Sequence, residues 1–323
     1  MARLKRLGQP VVSEDNDLRI RAAWLYHSQG LTQKEVAERL GVSRGTVIRL
    51  LNEAAERGDV QIWINESESA CVALASQLEQ VFDLDEAIVV PGASGDAAAR
   101  SVGIALGQFL SQVVTEDMTV GVGWGRTLTA SLTSLRPARR SGVKIVSLLG
   151  GMVEARDSNP LEFSWRMATR FGADCYLFVA PAFVDSAETR TRLIEKCGLD
   201  RILELAKSLD IAVLSVGDIG RESTSLSASM VTGEELGEVV AKGAVSDVLC
   251  NFLDRDGRSV DHPLNERVMS IDLDRLRKAG HLVIATGGAH RAVAIAAAIS
   301  RIGCNTLVTD ETAAAALLDL KAG

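Results

Sequence analysis

Apolar positions change rhythm once along this chain, near residue 85. Before it they recur at helical spacing; after it they bunch into short continuous runs separated by segments of helical length. In "DLRIRAAWLYHSQG", Leu18, Ala22, Ala23, Leu25 and Tyr26 predict an amphipathic helix of about three turns that stops at Gly30. In "LTQKEVAERLG", Thr32 followed three residues later by Glu35 reads as a capping box, with Val36, Ala37 and Leu40 inward and Gly41 as terminator. Ser43 then caps a third helix, "RGTVIRLLNEAAERG", whose Val47, Leu50, Leu51 and Ala54 point inward while Arg44, Thr46 and Arg49 stay outward. "DVQIWI" alternates Val60, Ile62 and Ile64 with Gln61 and Trp63, a short strand that reads as a wing.

Three helices with a tight turn and a polar third helix make a winged helix-turn-helix. The candidate DNA contacts are Thr32 and Gln33 at the start of the second helix, with Ser43, Arg44, Gly45, Thr46 and Arg49 on the third. Arginine pairs with guanine or clamps phosphates, and threonine touches a thymine methyl or a phosphate. Gly45 weakens its helix by roughly 1 kcal/mol relative to alanine, a cost that close approach to DNA would explain. Arg39, Arg57 and a mobile basic arm, "MARLKRLGQPVV", are secondary phosphate contacts. The bland alternative is a three-helix interaction module.

"ESESACVALASQLEQVFDL", residues 66–84, predicts a connecting helix that either pairs with a copy of itself or folds back on its own chain. Beyond it, "EAIVVPG", "TVGVGWG", "VKIVSLLGG", "ADCYLFVAP", "IAVLSVGDIG", "RVMSIDL", "HLVIATGG" and "NTLVTD" read as buried strands. Continuous Val/Ile/Leu runs alternating with helices predict an α/β, doubly wound, mostly parallel sheet. The organisation expected is therefore 1–65 for the helix-turn-helix, 66–84 for the connecting helix and 85–323 for the α/β domain.

Four turns, "GVGWGRTL", "LLGGM", "VGDIG" and "ATGGAHR", bring glycines to the carboxyl ends of strands, where open parallel sheets bind ligands. Glycine admits a ligand close to the backbone, and N–H groups opening the next helix favour phosphate or hydroxyl oxygens. "GVGWG" lacks the spacing of a dinucleotide fingerprint, and there is no GxxxxGK[ST] phosphate loop.

Charge sharpens the division. The net charge is −7, but residues 1–65 hold ten Lys/Arg and eight Asp/Glu, so +2, leaving −9 on the other 258. Cys71, Cys175, Cys197, Cys250 and Cys304 never form a CxxC pair, and no HxxxH or HExxH occurs. Neither a metal, a cofactor nor a disulfide framework is expected, and a reducing cytoplasm is. No apolar run approaches the ~18 residues of a membrane span, and the N-terminus lacks the apolar core of a signal peptide.

With the helix-turn-helix, "GVGWGRTL", "GAVSDVLCNFLDRDG", "ATGGAHRAVAIAAAI" and "LVTDETAAAALL" in this order, the chain resembles the SorC family of bacterial transcriptional regulators over nearly its whole length. The resemblance implies a body similar in fold to sugar-phosphate isomerases and deaminases but serving as a sugar sensor. It also implies a homo-oligomer, dimer or tetramer, whose partners are duplex operator DNA and a sugar, sugar-alcohol or phosphosugar effector. Carried residue by residue, the effector loop falls on Gly123, Trp124, Gly125, Arg126, Thr127 and Leu128, with Gly150 and Gly151 at the next strand end. Asp247 matches an acid that accepts bonds from hydroxyls, and Gly287, Gly288 and Arg291 match a "GGxxK" turn. The chain departs from the family pattern at Ser246, where glycine is common, and at Arg291, where lysine is.

Each of these has a plainer reading. Asp247 could cap a neighbouring element, Arg291 could pair with an acid, Trp124 could fill a gap, and His290 could be a solvated loop residue. An isomerase-like enzyme remains the alternative function, with Asp247, Asp218 and Asp310 as candidate bases. Asp310, followed by Glu311, reads as an ordinary helix N-cap.

Overall fold

The computed structural model describes residues 14–56, 59, 66–93, 95–152, 159–219 and 231–322. The chain divides into two compact units, 1–65 and 66–323.

In the first unit, α1 (Glu14–Ala23) runs into a π-helical turn, Trp24–Ser28, before Gly30 reverses the chain at φ +65°. Helices α2 (Gln33–Leu40) and α3 (Arg44–Glu56) follow. The predicted capping box is present: Glu35 N–H donates to Thr32 Oγ1 and Thr32 N–H donates to Glu35 Oε2. Gly41 terminates α2 in the left-handed conformation, where a side chain would be strained. The Thr46 N–H donates to Ser43 Oγ, so Ser43 opens α3 as expected. Ala22, Leu25, Val36, Val47, Leu50 and Ala54 form the core. The Arg19–Asp59 ion pair, 2.6 Å long, ties α1 to the chain just beyond α3. The predicted wing strand, Arg57 and the basic arm lie outside the described residues.

In the second unit, α4 (Glu66–Phe82) packs on its own chain, against the first strand and the last helix, with Leu78 fully buried. The strands are β1 (Glu86–Val90), β2 (Thr119–Val122), β3 (Lys144–Ser147), β4 (Asp174–Tyr176), β5 (Ile211–Leu214), β6 (Val216–Asp218), β7 (Ala244–Val248), β8 (Asn251–Asp254), β9 (His281–Ala285) and β10 (Thr306–Asp310). The remaining helices are α5 (Asp96–Val113), α6 (Arg126–Ser131), α7 (Pro160–Phe171), α8 (Ala187–Lys196), α9 (Asp200–Leu205), α10 (Gly233–Ala241), α11 (Pro263–Arg267), α12 (Leu273–Leu276), α13 (Ala292–Ile302) and α14 (Glu311–Ala322).

Seven strands form one parallel sheet in the order β1-β10-β9-β5-β2-β3-β4. Alternation along each strand serves a core on either face. Ile211 and Val213 of β5 join Val102, Leu106, Leu128 and Met167 from α5, α6 and α7, whereas Ala212 and Leu214 join Leu78, Leu276, Ile295 and Leu317 from α4, α12, α13 and α14. This is the expected doubly wound sheet. From β2 the chain winds outward to β3 and β4, then returns to β5 on the other side of β2 and winds on to β9 and β10. The order therefore reverses between β2 and β5, and in doubly wound sheets the carboxyl ends of such a strand pair are where a ligand crevice forms.

Three expectations are corrected. "IAVLSVGDIG" is two strands: β5 ends at Leu214, and β6 leaves the sheet to pair antiparallel with β7. "RVMSIDL" is not a strand; Val268 and Ser270 make single bridges to Phe183 and Leu149, because the short helices α11 and α12 flank it closely. "GAVSDVLCNFLDRDG", not read as strand, contains the β7–β8 hairpin.

Candidate functional site

On the N-terminal unit, Arg44, Gly45, Ile48 and Arg49 lie on one exposed side of α3, at the i, i+4 spacing that aligns side chains. Arg44 Nε and Nη2 both reach Gln33 Oε1, at 3.4 Å, so α2 holds the guanidinium through a neutral partner. Arg49 is held differently, by the Glu53 carboxylate at 2.7 Å one turn along. Ser43 and Thr46 share a hydroxyl–hydroxyl bond of 2.8 Å. A groove beside α3 is lined by Tyr26, His27, Thr32, Gln33, Lys34 and Arg44. All seven predicted DNA contacts thus belong to one end of the unit, α2 start and α3. His27 and Lys34, which the sequence did not single out, also line this groove, and Ile48 is exposed on the same side of α3.

Gly45 has room for a methyl group: an added Cβ would meet only Ser43 Oγ, at 3.8 Å. Among the described residues of the unit, nothing demands glycine there.

On the second unit, the crevice between β2 and β5 is built from several turns. The Gly123 N–H donates to the Val213 carbonyl, extending the β2–β5 pairing by one residue. Gly125 turns the chain at φ +129°, a conformation open to glycine, and α6 begins at Arg126 with no side-chain cap. Helix α6 is fixed from behind by α5. A Cβ on Gly103 would lie 2.6 Å from the Thr127 carbonyl, and one on Gly107 2.3 Å from that of Ser131. Ser215 stands beside Gly125, 3.4 Å from where its Cβ would be.

The β7–β8 hairpin closes one wall. Its two-residue turn, Leu249–Cys250, takes positive φ (+51° and +62°) at two non-glycine residues, costing roughly 1–3 kcal/mol each. The turn is nevertheless buried, and Leu249 Cδ2 would lie 3.1 Å from a Cβ on Gly123. Asp247, opposite Gly217 in the β6–β7 ladder, is 3 % exposed, and its Oδ1 has no hydrogen-bond partner among the described residues. Burial pushes its carboxyl up to about 7; the Cys250 N–H opposes the shift and the Asp218 charge adds to it.

The turn after β9 forms the other wall. Arg291 Nε donates to Asp218 Oδ1 at 3.1 Å and its Nη1 to the Gly287 carbonyl at 2.9 Å. The Thr286 hydroxyl donates to the Val216 carbonyl, joining this turn to β6. Gly287 must be glycine: a Cβ would sit 2.2 Å from Asp310 Oδ2. Asp310 caps α14 as predicted, through Thr312 Oγ1 and the Ala313 N–H, and its second oxygen accepts the Gly288 N–H.

Not every predicted residue presents its side chain here. Leu128 is fully buried in the core, and Trp124 packs partly buried against the other core. Gly150 and Gly151 give their N–H groups to the Met269 and Ala180 carbonyls, and a Cβ on either would strike neighbouring backbone or Leu161. Arg126 pairs with Asp96 at 2.6 Å, and His290 is exposed. Of the "VGDIG" turn, Gly217 lies within β6 and Gly220 is outside the described residues. No group of three or more His, Cys, Asp or Glu among the described residues is placed to hold a metal, and no described helix is long and apolar enough to cross a membrane.

Known proteins match both units. A family model for a sugar-binding domain (Sugar-bind) covers residues 67–319, and one for a homeodomain-like domain covers 15–63. The chain is 30% identical to the deoxyribonucleoside regulator of Bacillus subtilis over 95% of its length and 98% of that protein's. It is 26% identical to the erythritol catabolism regulatory protein EryD of Brucella abortus, over 94% and 97% respectively. The crystal structure of the full-length sorbitol operon regulator SorC from Klebsiella pneumoniae superposes with a TM-score of 0.80 at 27% identity, covering 95% of this chain and 100% of that one. With both family models and a full-length structural match in agreement, the chain belongs to the SorC family of bacterial transcriptional regulators, DNA-binding proteins that carry a sugar-binding domain.

Proposed function

We propose that residues 1–65 grip a duplex operator while residues 85–323 sense a small carbohydrate at the β2–β5 crevice, the helix of 66–84 joining them. The observation that supports the reading is the reversal of strand order between β2 and β5, with Leu249 beside Gly123 and with Arg291 bonded to Asp218, next to Asp247 in the β6–β7 ladder. Thr32, Gln33, Ser43, Arg44, Gly45, Thr46 and Arg49 face the DNA. In a homo-oligomer, dimer or tetramer, two third helices enter successive major grooves about 34 Å apart. Effector binding favours one arrangement of protomers, and a ~100-fold change in operator affinity needs a preference of about 2.7 kcal/mol.

We read the crevice as a sensor and not as a catalytic site. Of its three candidate bases, Asp218 is held by Arg291 and Asp310 accepts three bonds, which leaves one unpartnered carboxylate oxygen, Asp247 Oδ1, and no second free acid or base among the three. The names of the erythritol catabolism regulator and the sorbitol operon regulator support a sugar or polyol catabolic operon as the target, and the scattered, unpaired cysteines support a reducing cytoplasm as its place. The test is fluorescence anisotropy of labelled DNA from upstream of the chain's own gene, with and without carbohydrates. Binding that weakens steeply with salt and changes with a carbohydrate supports the reading; no binding at low ionic strength, with or without carbohydrate, rejects it.

A further inference from the structure

We infer that this chain reads a guanine and a neighbouring thymine in the major groove, the guanine through Arg44 and the thymine methyl through Ile48. The inference rests on reading the exposed side of α3 as the face that meets DNA.

Arg44 is the first residue of α3, and in helix-turn-helix docking the N-terminal residues of the recognition helix reach base edges. The two arginines on this side of the helix are held differently. Arg49 lies against the Glu53 carboxylate at 2.7 Å, which cancels its charge. Arg44 turns its Nε–Nη2 edge to Gln33 Oε1, a neutral acceptor on a half-buried side chain, at 3.4 Å for each donor. That leaves the Nη1–Nη2 edge of Arg44, two parallel N–H donors that keep their full charge. Guanine is the one base with two acceptors, O6 and N7, on its major-groove edge, so a fork aimed in this way selects guanine.

Ile48 stands one turn further along the same side and is 39% exposed, although isoleucine is among the residues most often buried. The core of the unit takes Val47, Leu50 and Leu51 from α3 and leaves Ile48 outside it. An aliphatic side chain has one apolar partner on the floor of the major groove, the thymine C5-methyl. Gly45 makes the contact reachable. It lies on the same side and bears no side chain, so the helix backbone can sit deep in the groove. Residues three or four apart on a recognition helix meet successive bases, which places the thymine about one or two base pairs from the guanine.

The experiment has two steps. The full chain first selects its preferred duplex from a random library at low ionic strength. Anisotropy then measures affinity for that duplex with single guanines replaced by 7-deazaguanine, which lacks the N7 acceptor, or single thymines by uracil, which lacks the methyl. Each change is made at the equivalent place of every half-site. At one guanine the 7-deaza change is expected to weaken binding of the unaltered chain about tenfold and to leave Arg44→Ala indifferent. At a thymine within two base pairs, uracil is expected to weaken the unaltered chain about threefold and to leave Ile48→Ala indifferent. A selected site without such a pair, or base changes that cost the variants as much as the unaltered chain, overturns the inference. So does a chain that holds duplexes without sequence preference. A chain that holds no duplex at all rejects the DNA-binding face itself. Arg44 and Ile48 are both exposed, so neither substitution opens the core, and the site selected by the unaltered chain already decides whether the pair exists.

Discussion

Asp310 accepts the Gly288 N–H at 2.7 Å with one carboxylate oxygen while the other accepts the Ala313 N–H at 2.9 Å. One buried side chain therefore caps α14 and pins the turn after β9, so the shape of the crevice depends on the helix start beside it.

Removing that carboxylate strands two backbone N–H donors and the Thr312 hydroxyl. Asp310→Ala is expected to cost about 2–4 kcal/mol, the sum of a lost cap and a buried N–H left unpaired. Asp310→Asn, which keeps one acceptor, is expected to recover part of the loss. Urea unfolding monitored by circular dichroism measures both, and a cost below about 0.5 kcal/mol for the alanine variant would contradict the double role.

Gly45→Ala separates folding from DNA binding. An alanine methyl meets only Ser43 Oγ at 3.8 Å, so the substitution is expected to stabilise α3 by about 0.5–1 kcal/mol. On the face that meets DNA the same methyl stands between backbone and phosphate or base edge, and operator affinity is expected to fall at least tenfold. Thermal unfolding and anisotropy read the two effects. Unchanged affinity in the stabilised variant would remove Gly45 from the interface.

How much of this was legible in the sequence follows from the range of the interactions. The Thr32–Glu35 capping box and the helix starts at Ser43 and Asp310 rest on local bonds, and the sequence announced all three, though not that Thr46 and Thr312 would be bonded there. The strands of the parallel sheet were equally plain, since burial on both faces leaves unbroken apolar runs. The β7–β8 hairpin was not: its turn is Leu249–Cys250, with none of the Asn-Gly chemistry that marks such turns, and tertiary packing holds it. The Arg291–Asp218 pair spans 73 positions, and Arg49–Glu53, though local, could not be told from two independent surface charges. The strand-end glycines all read alike as ligand approach points, yet Gly150 is small because the Ala180–Pro181 backbone crosses it and Gly151 because the Leu161 side chain packs on it.

Asp247 predicts a pH dependence of stability. Burial raises its carboxyl from 3.8 to about 7, so between those values the folded chain holds a proton that the unfolded chain has released. Stability from this group is complete below pH 3.8 and is lost as pH rises through 7, by up to about 1.4 kcal/mol per pH unit across the window. Relative to Asp247→Asn, which cannot titrate, the unaltered chain is expected to lose stability from pH 4.5 to 7 and run parallel above about 8. Denaturant midpoints across that range test it; parallel curves throughout would mean that Asp247 is solvated.

The two arginines of α3 differ in their neighbours, and salt dependence can show it. Glu53 neutralises Arg49, whereas Gln33 holds Arg44 without cancelling its charge. Glu53→Gln is expected to free Arg49 for a phosphate, tightening binding to any duplex and steepening the log–log salt slope by about 0.9. Gln33→Ala leaves the charge count alone, removes any base contact of Gln33 itself and releases the aim of Arg44. It is expected to reduce discrimination between operator and unrelated DNA with the slope unchanged, while Arg44→Ala loses both. Salt titrations of the three variants on matched operator and scrambled duplexes separate these effects. A Gln33→Ala variant that weakens both duplexes equally would mean that Gln33 touches phosphate itself and does not orient a base-reading arginine.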